Sequence, residues 1–210
     1  DIWRAVAKQD AYEPSFAASA EASTRCDHSR EKQESELGGD GSGTGNPAIA
    51  KWSFREIFAG TGHLTRVFKQ RKKFSVLEPV EIMRHGKIDP NCDILNDVAF
   101  NKLCSDACHP HQLWHFGFPC GSFSIMQNMN KGSRTASHPL GDGTVHRENT
   151  GNEILHRTLH LCELLHKHGS FFTLENPLSS FAWKIPKMRK VLAACQCTVA
   201  DLDQCERSEE

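Results

Sequence analysis

Long apolar runs and an apolar leader segment are both missing from this 210-residue chain. Its mean hydropathy is −0.51, and no stretch approaches the roughly 18 apolar residues that a membrane helix needs. We therefore expect no membrane-spanning segment and, from the first thirty residues, no secretory signal. The 9 cysteines are odd in number and irregularly spaced, which argues against a disulfide framework and favours reduced thiols in an intracellular compartment.

The formal net charge of −1 conceals an uneven distribution of charge along the chain. Residues 51–200 contain 19 Lys and Arg against 12 Asp and Glu, whereas residues 1–50 contain 5 against 9 and residues 201–210 contain 1 against 5. An excess of positive charge favours a polyanionic partner, because Lys and Arg bind phosphates. The central part of the chain is therefore compatible with nucleic-acid binding, although charge alone does not specify it.

Composition divides the chain into three regions. Residues 1–50 mix Ala, Ser, Glu and Gln and end in a glycine-rich stretch at 38–47, so they bury too little apolar surface to offset the entropy of ordering. We predict a disordered tail and linker over 1–50, an α/β domain over 51–205 and an acidic tail over 206–210.

From Trp52 onward, short apolar runs alternate with helix-like stretches and turn residues, a pattern typical of βαβ units. Helices are expected after Gly62, over Glu153–Leu165 and over Lys187–Ala194, and residues 121–150 are expected to form a long loop. The rhythm favours a mostly parallel, doubly wound, Rossmann-like sheet. Its predicted strands are Phe54–Phe58, Phe74–Val80, Cys92–Leu95, Leu113–Gly117, Phe171–Leu174 and Thr198–Leu202.

A glycine-rich turn, Phe58-Ala59-Gly60-Thr61-Gly62, follows the first predicted strand and precedes a helix. Glycines there let the backbone approach a ligand, and a helix N-terminus favours negative charge. Glu81, or alternatively Glu78, ends the next strand, where a carboxylate can accept hydrogen bonds from ribose hydroxyls. Asp93 ends the third predicted strand, where an adenine contact would be made. An ordinary turn and solvated strand ends are the alternative interpretation.

The segment Phe118-Pro119-Cys120-Gly121-Ser122-Phe123-Ser124 directly follows the fourth predicted strand. Ligands in open α/β sheets bind beyond the carboxyl ends of the strands, so a cysteine there faces the cleft and is a nucleophile when deprotonated. A buried, inert thiol is the alternative. Glu175 ends the fifth predicted strand and can exchange a proton across the same crevice. The sequence thus predicts a site formed by Cys120 and Glu175.

Taken together, these motifs resemble those of the cytosine-5 DNA methyltransferases. The resemblance rests on the Phe58–Gly62 motif, the Pro119-Cys120 motif and the Glu175-Asn176 motif, which occur in that family's order over residues 54–177. The longer strings around Cys120 and Glu175 are more similar to a divergent methyltransferase-like branch found in retroelement and protist proteins.

The resemblance implies a Rossmann-like methyltransferase fold and a catalytic role for three residues. Cys120 would attack carbon 6 of a cytosine, which makes carbon 5 nucleophilic. Glu175 would bond to and protonate the ring nitrogen, and Asn176 would hold the local structure.

The resemblance also implies a cofactor and a partner. The cofactor is S-adenosyl-L-methionine (AdoMet), and the partner is nucleic acid, DNA rather than RNA, which implies the nucleus in a eukaryotic cell. The target base must be flipped out of a duplex, and the 121–150 loop would act as a clamp. The implied AdoMet contacts are Phe58, Ala59, Gly60, Thr61, Gly62, Glu81, Asp93 and Asn152, and the implied nucleic-acid contacts are Ser122, Lys131 and Arg134.

Several features depart from the family. No arginine motif or target-recognition domain follows Glu175, and Pro177 stands where the family has valine. The sheet would stop at its sixth strand with an open edge, so we expect a fragment of a longer protein. One alternative is therefore a catalytically inactive, retroelement-derived nucleic-acid-binding or scaffold domain. The other is an amino-directed DNA methyltransferase using Asn176-Pro177, although Leu178 does not supply the aromatic residue such a motif needs.

Metal-ligating side chains cluster before the fourth predicted strand, at Cys104, Cys108, His109 and His111, with His115 beyond them. Their spacing matches no common zinc pattern, and no second pair is placed to complete a tetrahedral site. We therefore expect no metal.

Overall fold

The structure is a computed structural model that describes residues 2–8, 51–71, 73–84 and 86–203. The chain divides into two compact units, one formed by residues 1–9 with 50–210 and the other by residues 10–49. The second unit lies outside the described residues, as do most of the predicted tail over 1–50 and the predicted acidic tail over 206–210. None of the described helices has both the length and the apolar character needed to cross a membrane.

The described strands of the first unit are β1 (Ile2–Lys8), β2 (Trp52–Ile57), β3 (Phe74–Val76), β4 (Met83–Arg84), β5 (Lys87–Ile88), β6 (Gln112–Phe116), β7 (Phe171–Pro177) and β8 (Cys197–Asp203). Six of them form the main sheet of this α/β structure, in the order β3-β2-β6-β7-β1-β8. The four strands β3, β2, β6 and β7 are all parallel, which is compatible with the predicted Rossmann-like fold. Strands β4 and β5 form a separate antiparallel pair.

Strand β1 lies between β7 and β8 and runs antiparallel to both, with Ala5 opposite Glu175 on one side and Ala200 on the other. The prediction of disorder was therefore wrong for residues 2–8, whereas β8, the counterpart of the sixth predicted strand, is the last described strand on its side of the sheet. Neighbours on both sides satisfy the backbone hydrogen bonds of β1 and offset its ordering entropy. These neighbours are remote in sequence, so the local composition of residues 1–50 gave no sign of them.

Four helices accompany the sheet: α1 (His63–Gln70), α2 (Asp97–Ala107), α3 (His146–Lys167) and α4 (Pro186–Ala194). Helix α2, which the sequence analysis did not predict, begins where the Asn96 side chain accepts hydrogen bonds from the N–H groups of Val98 and Ala99. Helix α4 starts with proline, whose fixed φ suits the first helical turn.

The predicted third strand at Cys92–Leu95 is absent. Residues Pro90–Cys92 form a 3₁₀ turn instead, and the Asp89 carboxylate accepts a hydrogen bond from the N–H of Asn91, at 3.0 Å. The Asp-Pro sequence favours such a turn because aspartate caps it and proline has the required φ. Asp93 consequently does not lie at a strand end.

Apolar side chains of β6 and β7 form the core on one face of the sheet. Along β6, Trp114 and Phe116 are fully buried, whereas the alternate residues Leu113 and His115 keep some exposure. This alternation follows from the two-residue period of a strand. Helix α3 contributes the other large part of the core, with Leu155, Leu159, Leu161 and Leu165 all buried.

The predicted loop over 121–150 is shorter and more structured than expected. It contains 3₁₀ helices at Gly121–Phe123 and Ile125–Asn130, and α3 begins at His146 rather than at Glu153. Buried Glu148 explains part of this order, because its carboxylate accepts hydrogen bonds from the N–H of Ser133, at 2.8 Å, and from its hydroxyl, at 2.5 Å.

If β1 is an internal strand, Ala5→Pro will destabilise the domain. Proline removes a backbone donor from the middle of the sheet, and we expect a loss of about 2 kcal/mol, typical of a buried polar group left without its partner. Urea unfolding measures the change, and hydrogen exchange of β7 and β8 amides should accelerate in parallel. Unfolding and exchange like those of the unmodified chain would show that β1 is not part of the stable sheet.

Candidate active site

The glycine-rich turn Phe58–Gly62 leaves the carboxyl end of β2 and leads into α1. Gly60 and Gly62 have φ values of 51° and 68°, in the left-handed region that only glycine adopts without strain. Gly62 provides no side-chain cap for α1. Glu56 on β2 supplies one, because its buried carboxylate accepts hydrogen bonds from the N–H of Thr65, at 2.7 Å, and from its hydroxyl, at 2.5 Å.

Glu81, predicted to bind a ribose, lies against this turn. One carboxylate oxygen accepts a hydrogen bond from the N–H of Gly60, at 2.7 Å, and the other from the N–H of Met83, at 3.1 Å. Each oxygen has a second lone pair available for a ligand. The turn and Glu81 enclose a cavity of 350 Å³ lined by Ala59, Gly60, Thr61, Gly62, Pro79, Glu81 and Met83.

Two further residues predicted to contact the cofactor do not line that cavity. The Asp93 carboxylate accepts a hydrogen bond from the N–H of Leu95, at 2.8 Å, and so closes its own turn. Phe58 is half-buried and packs against the hydrophobic core. Glu78, the alternative to Glu81, is exposed.

Cys120 lies just beyond the carboxyl end of β6, where the 3₁₀ helix Gly121–Phe123 begins. Its side chain is half-buried and its thiol is free. The loop is anchored from the neighbouring strand, because the fully buried Asn176 side chain donates a hydrogen bond from its Nδ2 to the Phe118 carbonyl oxygen, at 2.9 Å. Asn176 therefore holds the segment that carries Cys120, as the sequence resemblance implied.

Glu175 precedes Asn176 on β7 and lies on the other face of that strand. Its side chain keeps 26% of its exposure, and burial raises the pKa of its carboxyl group above the usual range. Its Oε2 atom is 3.7 Å from Nε2 of His115 on β6. Burial lowers the pKa of His115, an effect that the negative charge of Glu56 partly opposes.

Gly117 lies between the two loops. Its N–H donates to the Ile57 carbonyl oxygen, at 3.3 Å, and a Cβ atom at this position would be 3.9 Å from the Phe58 carbonyl oxygen and 3.7 Å from Nε2 of His115. Both distances are ordinary van der Waals contacts, so the Phe58 carbonyl oxygen of the glycine turn and the His115 ring both lie close to Gly117. The glycine turn and the Cys120 loop leave the same edge of the sheet, because they follow the parallel neighbours β2 and β6.

Arg134, predicted to contact nucleic acid, is instead buried and only 1% exposed. Its guanidinium donates hydrogen bonds to the carbonyl oxygens of Ser122, at 2.8 Å, Pro139, at 2.5 Å, and Glu148, at 2.9 Å, and stacks 4.1 Å from the ring centre of Phe123. Arg134 therefore joins the Cys120 loop to α3 and is too deeply buried to contact a phosphate.

Ser122 and Asn152 belong to the same structural arrangement. A Cβ atom on Gly151 of α3 would lie 2.1 Å from the Ser122 hydroxyl oxygen, so the Ser122 side chain packs against α3. Asn152 accepts a hydrogen bond from Arg134 and donates one to the Leu140 carbonyl oxygen, at 2.9 Å. It borders a separate cavity of 530 Å³ between α3 and the start of α4, not the cavity beside Glu81.

Lys131 differs from Arg134, because its side chain is exposed. It follows the 3₁₀ helix Ile125–Asn130 with φ 61°, which turns the chain sharply. Among the residues predicted to contact nucleic acid, Lys131 alone remains available to a phosphate in the described part of the chain.

The sequence singled out His115 only as a metal-ligand type and not as a member of this site. The signal was a titratable residue in the predicted strand Leu113–Gly117, but its neighbours Thr173 and Glu175 come from a distant segment. Among the described residues, no group of three or more His, Cys, Asp or Glu side chains is arranged to hold a metal ion.

Comparisons with protein-family models, with curated protein sequences and with solved structures found no match. Function is therefore inferred from the geometry of this chain.

The contrast between Arg134 and Lys131 gives a paired prediction. Arg134→Ala leaves several buried carbonyl oxygens without a donor and should destabilise the domain by about 3 kcal/mol or more. Lys131→Ala changes an exposed side chain and should stay within about 0.5 kcal/mol of the unmodified protein. Thermal and urea unfolding of both variants measure the difference. Equal stability of the two variants would contradict the buried role of Arg134.

Proposed function

We propose that this protein transfers a methyl group from AdoMet to carbon 5 of a cytosine in nucleic acid, with DNA as the favoured substrate, through a covalent bond to Cys120. The observation that carries the proposal is the meeting of two loops at one sheet edge. The glycine turn with Glu81 follows β2, the Cys120 loop follows the adjoining strand β6, and Glu175 lies near the carboxyl end of β7, the next strand in the sheet. This arrangement also supports a more specific description of the α/β fold, a Rossmann-like methyltransferase sheet.

The cavity beside the glycine turn suits AdoMet. Its 350 Å³ lie within the range of small-molecule sites, and Cβ atoms on Gly60 and Gly62 would meet no atom within 4 Å, so the turn faces open space. Glu81 would accept hydrogen bonds from the ribose hydroxyls, and the backbone of residues 59–62 would lie along the rest of the molecule. When bound, AdoMet supplies an electrophilic methyl group.

Cys120 acts as the nucleophile toward the base, and Glu175 acts as the proton donor. The Cys120 thiolate attacks carbon 6 of the cytosine, and the electrons of the 5,6 double bond move toward carbon 5, which would take the methyl group while the rest of AdoMet leaves as a thioether. Loss of the carbon-5 proton to water would then restore the double bond and expel Cys120. Glu175 donates its proton to the ring nitrogen and thereby stabilises the negative charge that the attack creates. Burial favours the protonated carboxyl group that this step requires, since it raises the pKa of Glu175.

The charge of the domain supports a nucleic-acid substrate. Lys69 in the last turn of α1 is exposed, as are Arg71 and Lys73 just after that helix. Lys131 is exposed beside the Cys120 loop. Such groups bind phosphates without reading sequence, and their contribution to affinity falls as salt rises.

A catalytically inactive scaffold is the second candidate, and specific observations favour it. Asp93 and Asn152 do not reach the cavity beside Glu81, and both carboxylate oxygens of Glu81 already accept backbone hydrogen bonds. Isothermal calorimetry separates the two candidates, because a scaffold need not bind AdoMet. The amino-directed alternative is disfavoured, because Asn176 is fully buried and cannot reach an exocyclic amine from that position.

Covalent trapping tests the proposed nucleophile. A duplex containing 5-fluorocytosine, incubated with AdoMet and the protein, should give a denaturation-resistant complex on a gel, because fluorine at carbon 5 blocks the final elimination. Cys120→Ala should abolish the complex. Cys108→Ala is the matched control, since Cys108 is exposed at the end of α2, before β6 begins. Trapping by the Cys120→Ala variant, or no trapping by the unmodified protein, would overturn the proposal.

The reaction should also depend on pH through Glu175. The protonated carboxyl group is the active form and its pKa is raised in the folded protein, so the trapping rate should fall as pH rises through that pKa. Glu175→Gln cannot donate the proton and should trap about 10²–10⁴ times more slowly. Stopped-time trapping between pH 5 and 9 measures both effects, and a rate that does not fall with rising pH would exclude Glu175 as the acid.

A further inference from the structure

His115 occupies the centre of a row of polar side chains that crosses three parallel strands. Residues in register on such strands share a face of the sheet, and His115 is in register with Glu56 on β2 and with Thr173 on β7. The imidazole is only 14% exposed. A histidine in this position gains little from water and depends on its neighbours for hydrogen bonds.

Those neighbours orient the ring. Its Nδ1 atom is 2.7 Å from the Thr173 hydroxyl oxygen, and its Nε2 atom is 3.7 Å from Oε2 of Glu175. The charged groups near the ring are the carboxyl groups of Glu56 and Glu175, and Oε2 of Glu56 accepts both hydrogen bonds from Thr65. The remaining ring nitrogen has Oε2 of Glu175 within 4 Å, which makes Glu175 its partner.

We propose that His115 is a positioning residue for Glu175, whose carboxylate receives a hydrogen bond from Nε2–H of His115 once the carboxyl proton has moved to the base. This inference rests on the proposed function. The proton passes from Glu175 to the ring nitrogen of cytosine, leaving a carboxylate, and it returns to Glu175 when the base is released. His115 gives up no proton in either step.

The arrangement requires one tautomer of a neutral imidazole. The Thr173 hydroxyl donates to Nδ1, which leaves the single ring hydrogen on Nε2, facing Glu175. Burial lowers the pKa of His115 and so favours the neutral ring near pH 7. Hydrogen bonds used in catalysis are commonly long before substrate binds, and the 3.7 Å separation shortens when the carboxylate acquires its charge.

Two variants separate a hydrogen-bond donor from a space-filling side chain. His115→Gln retains an amide N–H that can reach the carboxylate, whereas His115→Leu fills the space without a donor. Carbon-13 NMR of the Glu175 carboxyl group in the full chain should show a pKa about 1 higher in His115→Leu, because its carboxylate has lost a hydrogen bond. His115→Gln should titrate close to the unmodified protein.

Nitrogen-15 NMR of the His115 ring provides a second test that needs no substituted histidine. The unmodified protein should show hydrogen on Nε2, and Thr173→Val, which removes the hydroxyl with little change of shape, should give a mixture of tautomers. Hydrogen on Nδ1 in the unmodified protein, or a Glu175 pKa that is the same in His115→Leu, would overturn the proposal.

Kinetics then connect the pair to the reaction. At a pH low enough for Glu175 to be protonated in every variant, the trapping rate with the 5-fluorocytosine duplex should fall by up to about tenfold in His115→Leu, because a carboxyl group with a pKa about 1 higher is a weaker proton donor, and recover in His115→Gln, with duplex affinity unchanged. Equal rates in the two variants would contradict a role for the donor. If the unmodified protein traps nothing while the NMR results hold, the proposed function fails and the His115–Glu175 pair stands.

Discussion

The parallel pairing of β2, β6 and β7 is the constraint on which the rest of the structure depends. Parallel neighbours bring their carboxyl ends to the same edge, so the loops that follow β2 and β6 must emerge side by side. The same pairing places Glu56, His115 and Thr173 in one row, although more than fifty residues separate each from the next. Hydrogen bonding of the backbone thus determines which side chains can act together.

Buried polar groups hold the loops in position once the strands have set their origins. Asn176 on β7 donates a hydrogen bond to the Phe118 carbonyl oxygen. The Arg134 guanidinium donates hydrogen bonds to the carbonyl oxygens of Ser122, in the Cys120 loop, and of Glu148, in α3. Such loops carry many backbone polar groups and few apolar side chains, so hydrogen bonds to a buried side chain replace those that water would make. The cationic Arg134 is well suited to this, because its planar group has five donors and the loop supplies acceptors.

Features that depend on a strand and its immediate end could be predicted from the sequence. Cys120 lies just beyond β6 and Glu175 near the carboxyl end of the adjoining strand β7, because the rule that sites lie at the carboxyl ends of parallel strands needs only local patterns. Contacts of Arg134 with nucleic acid and of Asn152 with the cofactor were expected because the family resemblance implied them. Their partners, the Ser122, Pro139, Glu148 and Leu140 carbonyl oxygens, become visible only when the loop is folded. The prediction for Asp93 was wrong for a local reason, because Asp89-Pro90 forms a turn where a strand was expected.

The insertion of β1 between β7 and β8 has a consequence for the order in which the sheet is completed. During synthesis, β1 leaves the ribosome well before β7 and β8. Ala5 can pair with Glu175 and Ala200 only after those residues have been translated. A nascent chain therefore carries an unpaired strand through most of synthesis, and closing so large a loop makes its docking a late, slow event. Until then the exposed edge of β7 is open to other extended peptides, which makes this stage the one at which a chaperone would matter most.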